Sequence, residues 1–278
     1  MADVTISPTD VTVARNGHAA SLAASTRVVA KRAALRYLRT PQIMVLGTIQ
    51  GVMFLLIFRY VFGGAIGLPG FPFAYVNFLV PGFITTGVLF TGMGAATAVA
   101  EDLEQGFIDR LRSLPIPRTS VLAGRALADT AMATWSAAIS AVVAFAVGFR
   151  IHGTAVQALE AFGLLVLFAF VFEWLFVLLG MLAGNAQAAQ GMALLVFPFT
   201  FISSAFVPVD SMPGWMQAIA NHQPITFMVD AVRALTQGPA AEALLGHSAG
   251  YFVTRSLLWS IALVAVFAPL AVARFRRG

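Results

Sequence analysis

Residues 159–182 read LEAFGLLVLFAFVFEWLFVLLGML, an apolar run in which Glu173 is the only charged residue beyond the first turn. About 20 helical residues, at a rise of 1.5 Å each, are enough to cross the ~30 Å hydrocarbon layer of a membrane. Other runs of this kind cover 42–62, 76–100, 121–148, 191–207 and 256–273. The sequence therefore predicts an all-α, polytopic integral membrane protein with six transmembrane helices.

The composition agrees with a surface that faces lipid. Hydrophobic residues make up 59% of the chain and charged residues 10%, whereas soluble domains carry about 25% charged residues. The chain has no cysteine, which excludes disulfides and thiolate metal sites, and its 4 histidines are dispersed. The only lysine, Lys31, follows Ala30, so the Gly-Lys-Ser/Thr of a Walker A loop is missing. We therefore expect no enzyme activity, metal or cofactor in this chain.

The distribution of basic residues predicts the orientation. Of the 17 Lys and Arg residues, six lie in residues 1–41, four in 101–125 and three after residue 273. Basic residues near the ends of spans favour the cytoplasmic side. Both termini and the segment 101–125 are therefore predicted to be cytoplasmic. This distribution accounts for the net charge of +5 without a nucleic-acid partner.

Three regions lie outside the predicted spans. Residues 1–25 are small and polar and predict a disordered tail ahead of a single transmembrane domain, 26–278. Residues 26–40 predict a helix with a basic face, which either lies on the inner membrane surface or simply carries positive-inside residues without a further role. The external connection 207–255 is apolar but broken by prolines, and it predicts short re-entrant helices that enter the outer leaflet and pack on the spans.

The segment 101–118, EDLEQGFIDRLRSLPIPR, is the most charged part of the chain beyond its N-terminal region. Its acids come first, its arginines follow and two prolines end it, as expected for a short helix aligned with its dipole. Leu103, Phe107 and Leu111 are spaced by four and would share one face. A rigid helix of this kind could pass the movement of a cytoplasmic motor protein on to the membrane helices. A solvated loop would also fit the pattern.

This segment resembles its counterpart in ABC type-2 permeases of the daunorubicin-resistance family. There, an acidic stretch and a glycine precede Arg-Leu-Arg-x-Leu-Pro-hydrophobic-x-Arg, which residues 110–118 match. A second similar block includes FVPVDSMPGWMQ at 206–217, HQPI at 222–225 and VRALTQG at 232–238. Gln223-Pro224 stands where the family often has Asn-Pro. The resemblance covers most of the chain, from about residue 30 to residue 277.

The resemblance implies a permease subunit of an exporter in the plasma (inner) membrane of a bacterium. Two such chains, identical or related, would dock on separate P-loop ATPase subunits that bind ATP and Mg²⁺. The cargo would be hydrophobic drugs or lipid-like molecules. A coupling helix over residues 101–114 would receive the ATPase. The implied coupling residues are Glu101, Asp102, Glu104, Gly106, Asp109, Arg110, Leu111, Arg112 and Pro115.

Few polar residues lie inside the predicted spans, and Glu173, Thr85 and Thr86 are candidates for a substrate pathway. An ionised carboxylate at this depth is costly, so Glu173 either serves function or is protonated and hydrogen-bonded to a neighbour. The alternative functions are an ion-gradient transporter, with Glu173 as proton carrier, and a non-transporting scaffold. Arg125 and Asp129, four residues apart, are predicted to pair.

Overall fold

The computed structural model describes residues 26–31, 35, 49, 51–62, 74–108 and 118–277. All regular secondary structure within these ranges is helical. The predicted tail 1–25 and residues 109–117 lie outside the described residues. In chain order the helices are α1 (26–31), α2 (Gly51–Val61), α3 (Tyr75–Glu104), α4 (Arg118–Ala146), α5 (Ala155–Ala183), α6 (Ala186–Leu194), α7 (Phe197–Phe201), α8 (Gly214–Ala220), α9 (Pro224–Gln237), α10 (Pro239–Leu245) and α11 (Ala249–Arg277).

Four of the described helices, α3, α4, α5 and α11, are long and apolar enough to cross a membrane. They coincide with the second, third, fourth and sixth predicted spans, as expected for a polytopic membrane protein. α2 coincides with the second half of the predicted first span, and its end overlaps a π-helix over Phe58–Phe62. Most of the first half of that span lies outside the described residues.

The prediction of one continuous helix over 191–207 is wrong. α6 starts earlier, at Ala186, where Asn185 Oδ1 accepts a hydrogen bond from the Ala188 amide at 2.7 Å. It ends at Leu194, because the chain tightens into a turn in which the Leu195 amide donates to Met192 O at 3.2 Å. α7 follows with Pro198 in its first turn, a residue that cannot donate a helical hydrogen bond.

α5 is the central helix and packs against α3, α4, α9 and α11. A capping box starts it: the Thr154 hydroxyl accepts from the Gln157 amide, and the Gln157 side chain accepts from the Thr154 amide. Gly184, with φ +77°, ends it in the left-handed conformation that glycine favours. The core of the bundle therefore forms around one regular, well-capped helix.

Residues 207–255, predicted as an external connection, form short helices, while their position outside the membrane and their entry into the outer leaflet stay predictions. α9 and α10 each begin with a proline, Pro224 and Pro239, at a position where its missing amide is not needed. α9 packs against α3, α5 and α11. We refer to the end of the bundle where α3 stops and α4 begins as the charged end, and to the opposite end as the α9 end.

α1 lies against the start of α4. A Cβ on Gly124 of α4 would come within 2.7 Å of Thr26 O and 2.8 Å of Val29 Cβ. The absence of a side chain at Gly124 therefore lets the two helices approach closely. This contact brings the first turns of the predicted interfacial helix to the charged end.

Candidate functional site

The predicted coupling helix does not begin at Glu101. Glu101, Asp102 and Glu104 instead form the last turn of α3, which continues without a break from its membrane-spanning part. The chain turns at Gln105 and Gly106, and helical residues resume at Phe107. Gly106 has φ +65°, a conformation that a residue with a side chain rarely adopts. A single helix over 101–114 is therefore wrong at its start, because the glycine breaks it.

Two apolar side chains attach this segment to the bundle. Ile108 is buried, and Leu103 is half-buried, in a cluster at the charged end that includes Val121, Leu122 and Phe275. Glu104 and Gln105 face outward and are exposed. The segment thus has an apolar side that packs on the bundle and a polar side that is accessible to a partner.

The other implied coupling residues lie outside the described residues: Asp109, Arg110, Leu111, Arg112 and Pro115. Their roles stay predictions. What the structure describes is the first half of the segment, residues 101–108.

Arg125 joins two helices at the charged end. Its Nε donates to Asp129 Oδ2 at 3.0 Å within α4, which confirms the predicted pair. Its Nη1 pairs with Asp102 of α3, a contact across 23 positions of sequence. Arg125 is therefore a bridge between the end of α3 and the third turn of α4.

Glu173 lies in the middle of α5 with 1% of its surface exposed. Among the described residues its Oε2 has no hydrogen-bond partner. The hydrogen bond expected for a protonated Glu173 is therefore absent at this oxygen.

Thr85 and Thr86, the other pathway candidates, are buried in α3 at 2% and 0% exposure. The Thr85 hydroxyl donates to Pro81 O at 2.7 Å, and the Thr86 hydroxyl donates to Gly82 O at 3.0 Å. Both hydroxyls are bonded to their own helix within the single chain. Thr85 and Thr86 are neighbours on α3, whereas Glu173 lies on α5.

The sequence analysis did not predict a buried ion pair at the α9 end. Arg233 is fully buried, pairs with Asp230 and donates to Phe78 O at 3.1 Å and to Ser204 O at 2.7 Å. Its guanidinium carbon lies 3.8 Å from the centre of the Phe78 ring. In the sequence, the one indication of this ion pair was that Asp230 and Arg233 carry opposite charges three residues apart in a largely apolar stretch.

A second set of hydrogen bonds attaches the loop between α4 and α5 to α9. Gln237 Nε2 donates to Arg150 O at 3.0 Å, and the amide of His152 donates to Thr236 O at 2.8 Å. Asn77 of α3 accepts from the Arg150 amide at 3.0 Å. The α9 end is therefore joined by directed polar bonds as well as by apolar packing.

The sequence profile of the ABC-2 type transporter family matches residues 24–236. The chain belongs to this family. It is 32% identical over 247 residues to "Daunorubicin resistance ABC transporter permease protein DrrB1" of Streptomyces coeruleorubidus, an alignment that covers 88% of this chain and 83% of that protein. It is 27% identical over 206 residues to "Probable doxorubicin resistance ABC transporter permease protein DrrC" of Mycobacterium tuberculosis H37Rv, covering 72% and 70%.

These findings confirm the resemblance on which the sequence analysis relied. The family and the apolar helices together make this ABC-2 permease a multi-pass membrane protein, and its relatives are transport subunits. Most of the charged end and of the α9 end falls inside the matched range, so the two polar clusters belong to the family domain itself.

Proposed function

We propose that the chain is the membrane-spanning subunit of an ATP-driven exporter that moves hydrophobic drugs or lipid-like molecules outward. The observation that carries the proposal is the identity to a daunorubicin-resistance permease over 88% of this chain. The apolar character of the long helices agrees with such a cargo, because Glu173, Thr85 and Thr86 offer little polar lining for a sugar or an ion.

A separate P-loop ATPase supplies the energy. The chain has no Gly-Lys-Ser/Thr sequence with which to hold nucleotide phosphates, so ATP and Mg²⁺ bind to the partner. Residues 101–118 form the docking segment. Glu104 and Gln105 are exposed there while Leu103 and Ile108 are anchored in the bundle, which is the arrangement that a force-receiving segment needs.

The working unit is a pair of such chains, identical or related, in the inner membrane of a bacterium. Each chain contributes six spans from one transmembrane domain, 26–278. The distribution of basic residues supports cytoplasmic termini and a cytoplasmic charged end. ATP binding in the paired ATPases would tilt the permeases and release cargo to the outside.

The test is purification of the chain with its native partners, followed by reconstitution in vesicles. We expect a P-loop ATPase to co-purify and the export of daunorubicin or a fluorescent phospholipid to follow ATP. Replacing Glu104 or Arg110 by Ala should lower ATP-driven transport by roughly fivefold, a coupling loss of ordinary size, while the chain stays in the membrane. Glu160→Ala is the matched control, since Glu160 is also an exposed glutamate but lies at the α9 end.

Normal export by the Glu104→Ala and Arg110→Ala variants would contradict the coupling role. Transport that follows a proton or sodium gradient in the absence of ATP would instead favour the rival function, a secondary transporter. The buried Glu173, whose Oε2 has no hydrogen-bond partner among the described residues, is the one observation that favours this rival. A protein that binds partners without moving either probe would be a scaffold.

A further inference from the structure

The acids that end α3 are placed unfavourably with respect to their own helix. Glu101, Asp102 and Glu104 lie in its last turn, where the unpaired carbonyl groups already concentrate partial negative charge. An acidic C-terminus of this kind is stabilised when a cation from elsewhere lies beside it. Arg125 of α4 is such a cation, and it pairs with Asp102.

Arg125 also reaches inward. From Asp102 through Arg125 to Asp129, the exposed fraction of the side chain falls from 18% to 14% to 3%. We refer to these three residues as the charge ladder. It runs from the accessible segment 101–108 into α4.

The ladder joins α3 to α4 through two ion pairs. Ion pairs with little exposure are screened weakly by solvent, so a change in their separation costs more than the loss of an equivalent surface pair. The Nε and Nη1 atoms of one guanidinium hold the two carboxylates in a fixed relation. A displacement of the end of α3 therefore acts on α4 as well.

We propose that Arg125 is the positioning residue that passes a displacement of residues 101–108 on to α4. The inference rests on the proposed function, since it requires an ATPase that pushes on this segment. It adds the contact through which that displacement reaches α4. Asp102 receives the displacement at the end of α3, and Asp129 holds Arg125 on α4.

The test uses the complete permease–ATPase complex in proteoliposomes with daunorubicin and a fluorescent phospholipid as probes. The measured quantity is the amount of probe transported per ATP hydrolysed. We expect Arg125→Gln and Asp102→Asn each to lower this ratio by about fivefold, while the amount of assembled complex stays that of the wild type. The double variant should be no worse than either single one, because both remove the same link.

Two further variants separate positioning from simple structural support. Arg125→Lys keeps the charge but not the two-pronged geometry, and it should recover part of the ratio. Arg255→Gln removes an exposed arginine near the start of α11 and should leave the ratio unchanged. A ratio that is unchanged in Arg125→Gln, or equal losses of hydrolysis, transport and assembled complex, would overturn the inference. A wild-type complex that does not transport either probe with ATP would instead overturn the proposed function.

Discussion

Arg233 is the largest of the fully buried side chains in the described part of the chain. Its position is tolerable only because its guanidinium group is surrounded by acceptors: the Asp230 carboxylate, Phe78 O and Ser204 O. Asp230 accepts a further hydrogen bond from the Ser204 hydroxyl at 2.7 Å. One side chain thus joins α9 to α3 and to the turn after α7.

Removing one member of this group leaves the others buried without partners. We expect Arg233→Gln to lower the free energy of unfolding by about 3 kcal/mol, the usual cost of an uncompensated buried charge. Thermal unfolding in detergent, followed by circular dichroism, measures the change. Arg255→Gln, at an exposed position, is the control.

The double variant Asp230→Asn with Arg233→Gln should be more stable than the sum of the two single losses predicts, because it removes both charges together. Equal melting temperatures for Arg233→Gln and the Arg255→Gln control would show that the pair contributes nothing to stability.

At the scale of helices, the close crossing of α3 and α5 depends on two glycines. A Cβ on Gly180 would collide with Ala96 O, and a Cβ on Gly92 would collide with the Phe176 ring. In a membrane the lipid tails are as apolar as leucine, so helices associate mainly through close packing of this kind. The two glycines therefore allow α3 and α5 to approach closely.

Gly180→Val should therefore weaken the bundle, by about 1 to 3 kcal/mol as for other overpacked cores. Gly163→Val is a control on the same helix, since a Cβ there meets no atom of the described residues within 4 Å. Both substitutions place the same residue in α5, so helix propensity cancels in the comparison. The unfolding temperature in detergent is the measurement, and equal values for the two variants would contradict the packing argument.

At the scale of the whole molecule, the orientation of the chain in the membrane is predicted by the positive-inside rule and can be tested directly. The chain has no cysteine, so single cysteines can be labelled without background. Gln105 and Ser248 are exposed at the charged end and in the turn before α11, respectively. Ser7 belongs to the predicted cytoplasmic tail.

We expect a membrane-impermeant maleimide to label Ser248→Cys in intact cells. Ser7→Cys and Gln105→Cys should react only after the membrane is permeabilised, because basic residues concentrate around both positions. Labelling of Ser7→Cys from outside, with Gln105→Cys protected, would mean an odd number of spans between them and would contradict the six-span topology.

The sequence alone was sufficient for the class of the protein, the places of the four long helices and the family. Helices in lipid form their backbone hydrogen bonds within one segment, so a local run such as residues 159–182 carries the information for its own structure. The Arg125–Asp129 pair was predictable for the same reason, since both residues lie one turn apart on one helix. The turn at Gly106 and the end of α6 were harder to predict, because acids, glycine and proline near a helix end allow several boundaries.

The tertiary structure alone decided which distant groups meet. Asp102 contacts Arg125 and Arg233 contacts Phe78 O, each across a gap in sequence that no periodicity spans. These contacts depend on how each helix is rotated and tilted against its neighbours, and close approaches such as that at Gly180 set those angles. The sequence contained every charge of the ladder, but only the packing of α3 against α4 brought Asp102 to Arg125.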